Sequence, residues 1–178
     1  MARPETAPMV TPTALLPDDD LRQARDLMDR AFVDFTDDDW SHALGGLHAL
    51  VHREGRVVAH AALVQRRLLV RGRSLRCGYV EAVAVDPAFQ GQGLGAAVMA
   101  ELEGHGPAHD VLALSASTRA VGFYEARGWQ RWRGPSSVLS PDGPLATPED
   151  DGAIHVLGGH GLDLDAPIAC EWRDGDVW

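Results

Sequence analysis

Residues Cys77–Ala100 read CGYVEAVAVDPAFQGQGLGAAVMA: an apolar run, a glycine-rich turn, and a second apolar run. The first run alternates as a strand does and places Tyr79, Glu81, Val83 and Val85 on one face. The turn, Gln90-Gly91-Gln92-Gly93-Leu94-Gly95, carries little side-chain bulk, so its backbone N–H groups can point at an anion. The helix predicted over Gly93–Glu103 adds its positive N-terminal end. Spacing excludes two other phosphate-binding patterns. A dinucleotide fingerprint needs G-x-G-x-x-G, whereas Gly91, Gly93 and Gly95 alternate, and a Walker A loop needs a Gly-Lys-Ser/Thr that is absent.

Working outward, the N-terminal side carries prolines up to Pro12, and residues 1–12 are expected to be a flexible tail. Thr13–Leu16 reads as a short strand. Three aspartates after Pro17 mark a helix start, and Leu21, Ala24, Leu27, Met28, Ala31 and Phe32 recur at helical spacing. Thr36 and Asp39 form a capping-box pattern for a short helix over Asp37–Leu44. Leu47–Arg53 and Arg56–Val70 read as strands joined at Glu54-Gly55, and the central strand is expected over Arg76–Val85 after a turn at Gly72-Arg73. On the C-terminal side, Val111–Leu114 is a short buried-type strand, and Ser115–Thr118 opens a helix predicted over Arg119–Arg127 with Gly128 as its stop. Trp129–Arg133, Ser136–Ser140 and Ile154–Leu157 are β-like, and 141–148 reads as loop. Helices alternate with mostly antiparallel strands around one strand–turn–helix–strand unit, an α/β pattern.

The 178 residues, 45% hydrophobic, suit one well-filled domain, expected over 13–178. A net charge of −10 argues against a nucleic-acid partner. It suits a small cationic substrate, although solubility alone accounts for it equally well. Two cysteines make no disulfide framework and no metal-ligand spacing occurs, so a reduced, cytoplasmic protein without a metal is expected. The first twenty residues lack the pattern of a secretory signal, and no stretch is long and apolar enough for a membrane span.

Taken together, Glu81-Ala-Val-Ala-Val-Asp-Pro87, the turn Gln90–Gly95 and Ala120-Val-Gly-Phe-Tyr124 through Trp129 resemble the GNAT acetyltransferases. The segments DFTDDDW (34–40), HALGGLHAL (42–50), QRRL (65–68), LRCGYVEAVAV (75–85) and WRDGDVW (172–178) are similar to the mycobacterial-type aminoglycoside 2'-N-acetyltransferases within it. The resemblance implies a GNAT fold, with a mixed, mostly antiparallel sheet splayed at the central strand and flanked by helices. It also implies acetyl-CoA as donor, an aminoglycoside or related cationic amino sugar as acceptor, and a homodimer. Another small polyamine or cell-wall precursor as acceptor, and a non-catalytic CoA-binding module, are the alternatives.

Acetyl transfer from a thioester to an amine needs a held cofactor, a deprotonated amine, a stabilised oxyanion and a proton for the departing thiolate. Gln90, Gly91, Gln92, Gly93, Leu94, Gly95 and Ala96 serve the first need, with the backbone of Val83, Ala84 and Val85. Glu81, a carboxylate in an apolar strand, is the candidate base, directly or through water; a substrate-binding role and an ion pair with Arg76 are its alternatives. Tyr124 stands at the family position of the general acid. The resemblance places Asp34, Glu81, Asp150 and Asp176 around the acceptor, with Asp151 as the neighbour that one sequence does not separate from Asp150. It adds the Trp178 indole and carboxylate. Ser115 and Ser117 are candidates to hydrogen-bond acceptor or cofactor, or simply to start a helix. Arg66, Arg67 and Arg119 are candidates to approach the phosphates. His42, His48, His52 and His60 read as structural or surface groups.

Overall fold

The computed structural model describes residues 7–178. The sequence reading expects one domain over 13–178; the described residues form two compact units, one ending its first segment at Val64 and resuming over Val80–His105, the other made of Gln65–Tyr79 and Gly106–Trp178. Two long strands, β3 (Arg56–Val70) and β4 (Arg73–Val85), each contribute to both.

In the first unit, β1 (Met9–Pro12) pairs antiparallel with β2 (Leu47–Arg53), Met9 opposite Leu50. The tail expected over 1–12 is therefore ordered from Met9, while residues 1–6 lie outside the described residues. Thr13–Leu15 is a 3-10 turn, not the strand expected there, because Thr13 turns to hydrogen-bond the Gly46 carbonyl (N to O, 2.9 Å). Helix α1 (Asp18–Ala31) follows Pro17 without a side-chain cap; its three first-turn aspartates complement the helix dipole instead. It buries Ala24, Leu27 and Met28 in a core with Leu16, Leu50, Val57 and Ala84. Helix α2 (Asp37–Ala43) has both halves of the expected capping box: Asp39 N donates to Thr36 Oγ1 (3.2 Å) and Thr36 N to Asp39 Oδ2 (2.8 Å). β2 and β3 form a hairpin through Glu54 and Gly55, both left-handed (φ 50° and 73°), as a two-residue turn requires. Arg71 and Gly72 repeat this geometry between β3 and β4, so β4 begins at Arg73, three residues before the sequence reading. Helix α3 (Leu94–Glu103) buries Leu94, Val98, Met99 and Leu102.

In the second unit the strand order is β6-β9-β5-β4-β3-β10-β7-β8. Here β5 is Val111–Ser115, β6 Gln130–Arg131, β7 Ser136–Ser140, β8 Gly143–Ala146, β9 Ile154–Gly158 and β10 Ile168–Glu171. Two pairings are parallel, β4 with β5 and β10 with β7; the other registered pairings are antiparallel, as expected for a mixed, mostly antiparallel sheet. Registered β4–β5 pairing ends at Tyr79 opposite Ala113, although β4 continues to Val85. Two strands depart from the sequence reading. Gly143–Ala146, read as loop, closes a hairpin with β7, its proline tolerated because the strand lies at the sheet edge. β10 was not foreseen. Helix α4 is shorter than expected, Val121–Glu125, because Ser115 continues β5 and Ala120 is the N-cap. Trp132, 1% exposed, anchors this core and donates its indole N–H to the Ala166 carbonyl (2.9 Å). Among the described residues, no helix is long and apolar enough to cross a membrane.

Candidate active site

The glycine turn belongs to the first unit. After β4, the Asp86 carboxylate accepts from Ala88 N (3.0 Å) and starts a 3-10 turn over Pro87–Phe89. Gly91 and Gly93 then take left-handed conformations (φ 76° and 77°). A Cβ added to either would meet nothing within 4 Å, so backbone shape, not crowding, demands glycine here. Helix α3 starts at Leu94 with Gly93 as N-cap and no side-chain cap. Its first-turn N–H groups are left to face outward, as they must at a helix N-terminus. An exposed turn from Gln90 to Gly93 with no acidic side chain, leading into the positive end of a ten-residue helix, fits a pyrophosphate. Arg66 does not contribute to such a site: it is buried, donates from Nη2 to the Glu171 carbonyl (3.0 Å), and stacks 4.8 Å from the Tyr79 ring centroid. Arg119 is exposed.

Upstream in the same strand, the expected alternation fails. Ala82 is left-handed (φ 50°), so Glu81 and Val83 are not successive members of one regular face. A non-glycine residue held there costs about 1–3 kcal/mol and concentrates at functional sites. The Ala82 carbonyl accepts from His60 Nδ1 (2.7 Å). Glu81, Val83 and Val85 are half-buried and Ala84 is buried. The Arg76 partner considered for Glu81 is engaged elsewhere, donating to the Asp110 carboxylate through Nη2 (3.2 Å), which holds that carboxyl below its usual range. Asp34 is exposed in the connection between α1 and α2.

The second unit gathers the remaining acids. Glu149, Asp150 and Asp176 line a cavity of about 300 Å³ with Thr147, Leu145 and Trp172. Trp172, 45% exposed, offers an indole face of the kind that stacks on sugar rings. Burial, reinforced by the charges of Asp176, Glu149 and Asp151, pushes the Asp150 carboxyl up to about 6. Asp151 is occupied differently: its Oδ1 accepts from Ser136 N (2.8 Å) and Ser136 Oγ (2.9 Å), which ties the 3-10 turn Pro148–Asp150 to β7.

Trp178 is 3% exposed and sits behind this cavity. Its indole N–H donates to Thr147 Oγ1 (3.0 Å) and its backbone N–H to Asp176 Oδ1 (3.2 Å), so it fixes two of the lining residues. Arg173 closes the segment by donating to the main-chain oxygens of Asp176 (2.7 Å) and Trp178 (3.0 Å). Tyr124 lies on α4, 7% exposed, with its ring edge-on to Trp129; burial pushes its phenol up to about 12. Ser115 and Ser117 are exposed at and just after the end of β5.

Thus the first unit carries Asp34, Glu81, Val83–Val85 and Gln90–Ala96, and the second carries Ser115, Ser117, Tyr124, Asp150, Asp176 and Trp178. Sequence reasoning missed Thr147 and Trp172. Trp172 opens the WRDGDVW segment and was legible there; nothing near Thr147 marks it. Among the described residues, no group of three or more His, Cys, Asp or Glu side chains is arranged to hold a metal ion.

Residues 14–129 match the acetyltransferase (GNAT) family. An aminoglycoside 2'-N-acetyltransferase of Mycolicibacterium fortuitum is 54% identical over 163 residues, 87% of this chain and 83% of that protein. The GNAT-family N-acetyltransferase YhbS of Escherichia coli, solved in complex with CoA, superposes with a TM-score of 0.63 at 17% identity, covering 98% of this chain and 94% of YhbS. A GCN5-related N-acetyltransferase from Kribbella flavida gives a TM-score of 0.58 at 19% identity over 72% of this chain, which spans 34% of that longer protein. The two structures speak to the fold, and the sequence matches to ancestry. On both grounds the chain belongs to the GNAT acetyltransferase family.

Proposed function

We propose that residues 13–178 act as one domain that transfers an acetyl group from acetyl-CoA to the 2'-amino group of an aminoglycoside. The observation that carries the substrate class is the acidic cavity. Glu149, Asp150 and Asp176 line it together, and burial, reinforced by the repulsion among these acids, raises the Asp150 carboxyl to about 6. A polycationic ligand relieves that repulsion, and each ammonium it brings has a carboxylate to meet. The 54% identity to an aminoglycoside 2'-N-acetyltransferase supports the position of attack.

Acetyl-CoA, when bound, supplies the acetyl group as a thioester. The Gln90–Ala96 turn would hold its pyrophosphate, and the backbone of Val83, Ala84 and Val85 its pantetheine arm. Glu81 takes the proton from the acceptor ammonium, directly or through a water. Tyr124, its phenol protonated at neutral pH, holds a proton for the departing sulfur. Asp34, Asp150 and Asp176 bind the other ammonium groups, and Ser115 and Ser117 add hydrogen bonds at the edge. The product amide has lost a positive charge, which weakens the drug's electrostatic hold on RNA, the chemistry of resistance. The same reading places the enzyme in the cytoplasm, with its buried thiols Cys77 and Cys170 reduced.

The test is incubation with acetyl-CoA and paired aminoglycosides carrying an amine or a hydroxyl at the 2' position, followed by mass spectrometry. Gain of one acetyl group by the 2'-amino compounds alone is the expected result. Equal modification of both sinks the regiochemistry, and no turnover on either sinks the substrate class. Trp178→Ala is expected to raise the aminoglycoside KM about fivefold with kcat within about threefold, because Thr147 loses the indole hydrogen bond, worth about 1 kcal/mol, while the backbone N–H to Asp176 is kept. An unchanged KM in steady-state kinetics removes Trp178 from acceptor binding.

A further inference from the structure

Two buried histidines of the first unit have no part in the chemistry above, yet they end on the backbone beside Glu81. His48 and His60 have no accessible surface. His60 Nδ1 lies 2.7 Å from the Ala82 carbonyl, His60 Nε2 2.9 Å from His48 Nδ1, and His48 Nε2 2.7 Å from Thr13 Oγ1. The Trp40 indole covers both rings at centroid distances of 6.4 Å and 6.0 Å. Among the described residues, neither ring forms an ion pair with a carboxylate.

The proton positions in this chain follow from elimination. A carbonyl only accepts, so His60 Nδ1 carries a hydrogen and donates to Ala82. In the neutral ring Nε2 must then accept, which obliges His48 Nδ1 to donate. His48 Nε2 accepts in turn, and the Thr13 hydroxyl supplies the hydrogen. Thr13 Oγ1 itself accepts from Gly45 N (2.9 Å). Every hydrogen points one way, from the exposed Gly45 to Ala82. A proton added to His60 would set N–H against N–H at His48 Nδ1, and one added to His48 would turn the Thr13 hydroxyl away to its other acceptor, the Gly46 carbonyl (3.3 Å), so the chain as drawn holds with both imidazoles neutral, consistent with the direction in which burial moves them.

We propose that His60, with His48 behind it, is a positioning residue for acetyl transfer: the pair fixes the Ala82 carbonyl and so the left-handed turn that separates Glu81 from Val83–Val85. This rests on the roles given above to Glu81 and to that backbone. Relaxation of Ala82 to an extended conformation would restore the regular alternation and re-aim the residues on either side. Alanine gains nothing from the left-handed region, so an outside partner must hold it there.

His60→Leu, which keeps bulk and removes the donor, is expected to lower kcat about 10- to 100-fold with the acceptor KM within about threefold. His60→Gln can donate to Ala82 through its amide N–H and accept from His48 through its oxygen, and is expected to restore kcat to within about threefold of the parent. Adding Ala82→Gly to His60→Leu should recover about tenfold, because glycine adopts φ 50° without the partner. A folded His60→Leu protein with parental kcat, or one that neither Gln nor Ala82→Gly improves, overturns the proposal. Should His60→Leu not fold, Thr13→Val removes the hydroxyl that feeds His48, together with its acceptance from Gly45 N, leaves both rings in place, and is expected to lower kcat about threefold or more; parental kcat there overturns it equally. The chain is also read without any acceptor. In ¹⁵N-histidine NMR, His48 and His60 should be neutral Nδ1–H tautomers from pH 8 to pH 5, and an Nε2–H tautomer for either ring overturns the proposal. A parent enzyme inactive on every amine would instead count against the proposed reaction and leave this spectrum to decide the positioning.

Discussion

Glu81→Gln is expected to lower kcat for aminoglycoside acetylation about 100- to 1000-fold at neutral pH, the range set by loss of a positioned base. The substitution keeps the size of the side chain and removes both its charge and its basicity. Glu81 is half-buried, directly before the left-handed Ala82, in a strand whose neighbours Val80 and Ala84 are 4% exposed. A carboxylate in such a place serves as a base or as an anchor for an ammonium, and the two roles separate in the kinetics. Loss of a base falls on kcat and is relieved as pH rises, since more of the acceptor amine then arrives already deprotonated. Loss of an anchor falls on the acceptor KM at every pH. Acetyl-CoA affinity is expected to stay within about twofold, since no phosphate contact is assigned to this side chain. Steady-state kinetics of the parent and Glu81→Gln from pH 6 to pH 9 distinguish the cases. A kcat unchanged across that range, with only KM raised, makes Glu81 an anchor and moves the search for a base elsewhere.

What could be read in the sequence was what local chemistry enforces. The capping box at Thr36 and Asp39 closes as expected because both halves lie within one turn. The glycine turn is legible because a left-handed backbone at Gly91 and Gly93 has a residue type that signals it. Ala82 has the same kind of backbone and no signal at all. Its conformation is held by His60, 22 residues earlier in the chain. The Asp150–Asp151 choice was hidden for the same reason, since Ser136, fifteen residues before Asp151, engages it and leaves Asp150 facing the cavity. The strand β8 was missed because Gly143 and Pro144 read as loop, and only an unpaired sheet edge makes room for them. The strand β10 was missed because four residues, IACE, are too few to show a period; its partners β3 and β7 are supplied from elsewhere. In the substrate cavity the acids were named from resemblance, but Thr147, which Trp178 grips, is a buried threonine that only the assembled unit explains.

Acid should unfold this protein steeply, and the two buried histidines should account for most of the slope. Burial lowers His48 to about 4 and His60 to about 3, the latter aided by the neighbouring His48 and opposed by its bond to Ala82. In the unfolded chain both titrate near about 6.5. Between these values the unfolded state binds two more protons than the folded state, so stability rises with pH across the window and is complete above the unfolded value. As pH falls from 6.5 towards 4, the pair removes up to about 2.7 kcal/mol of stability per pH unit, about 1.4 for each proton. Asp150 works in the opposite sense. Its carboxyl is raised to about 6, so the folded state binds a proton that the unfolded state releases, which offsets part of the slope between about 6 and 4; solvent near this half-exposed group keeps its share small. Urea unfolding at intervals from pH 8 to pH 4.5 should therefore show a flat region above pH 7 and a fall below it. The fall should steepen in Asp150→Asn and flatten by about two protons in His48→Gln/His60→Gln. Parallel curves for the parent and the double variant would mean that the two imidazoles take up protons in the folded protein as readily as in the unfolded chain, which a His60 ring that donates to Ala82 and accepts from His48 does not allow. The directed hydrogen-bond chain towards Ala82 would then have no basis.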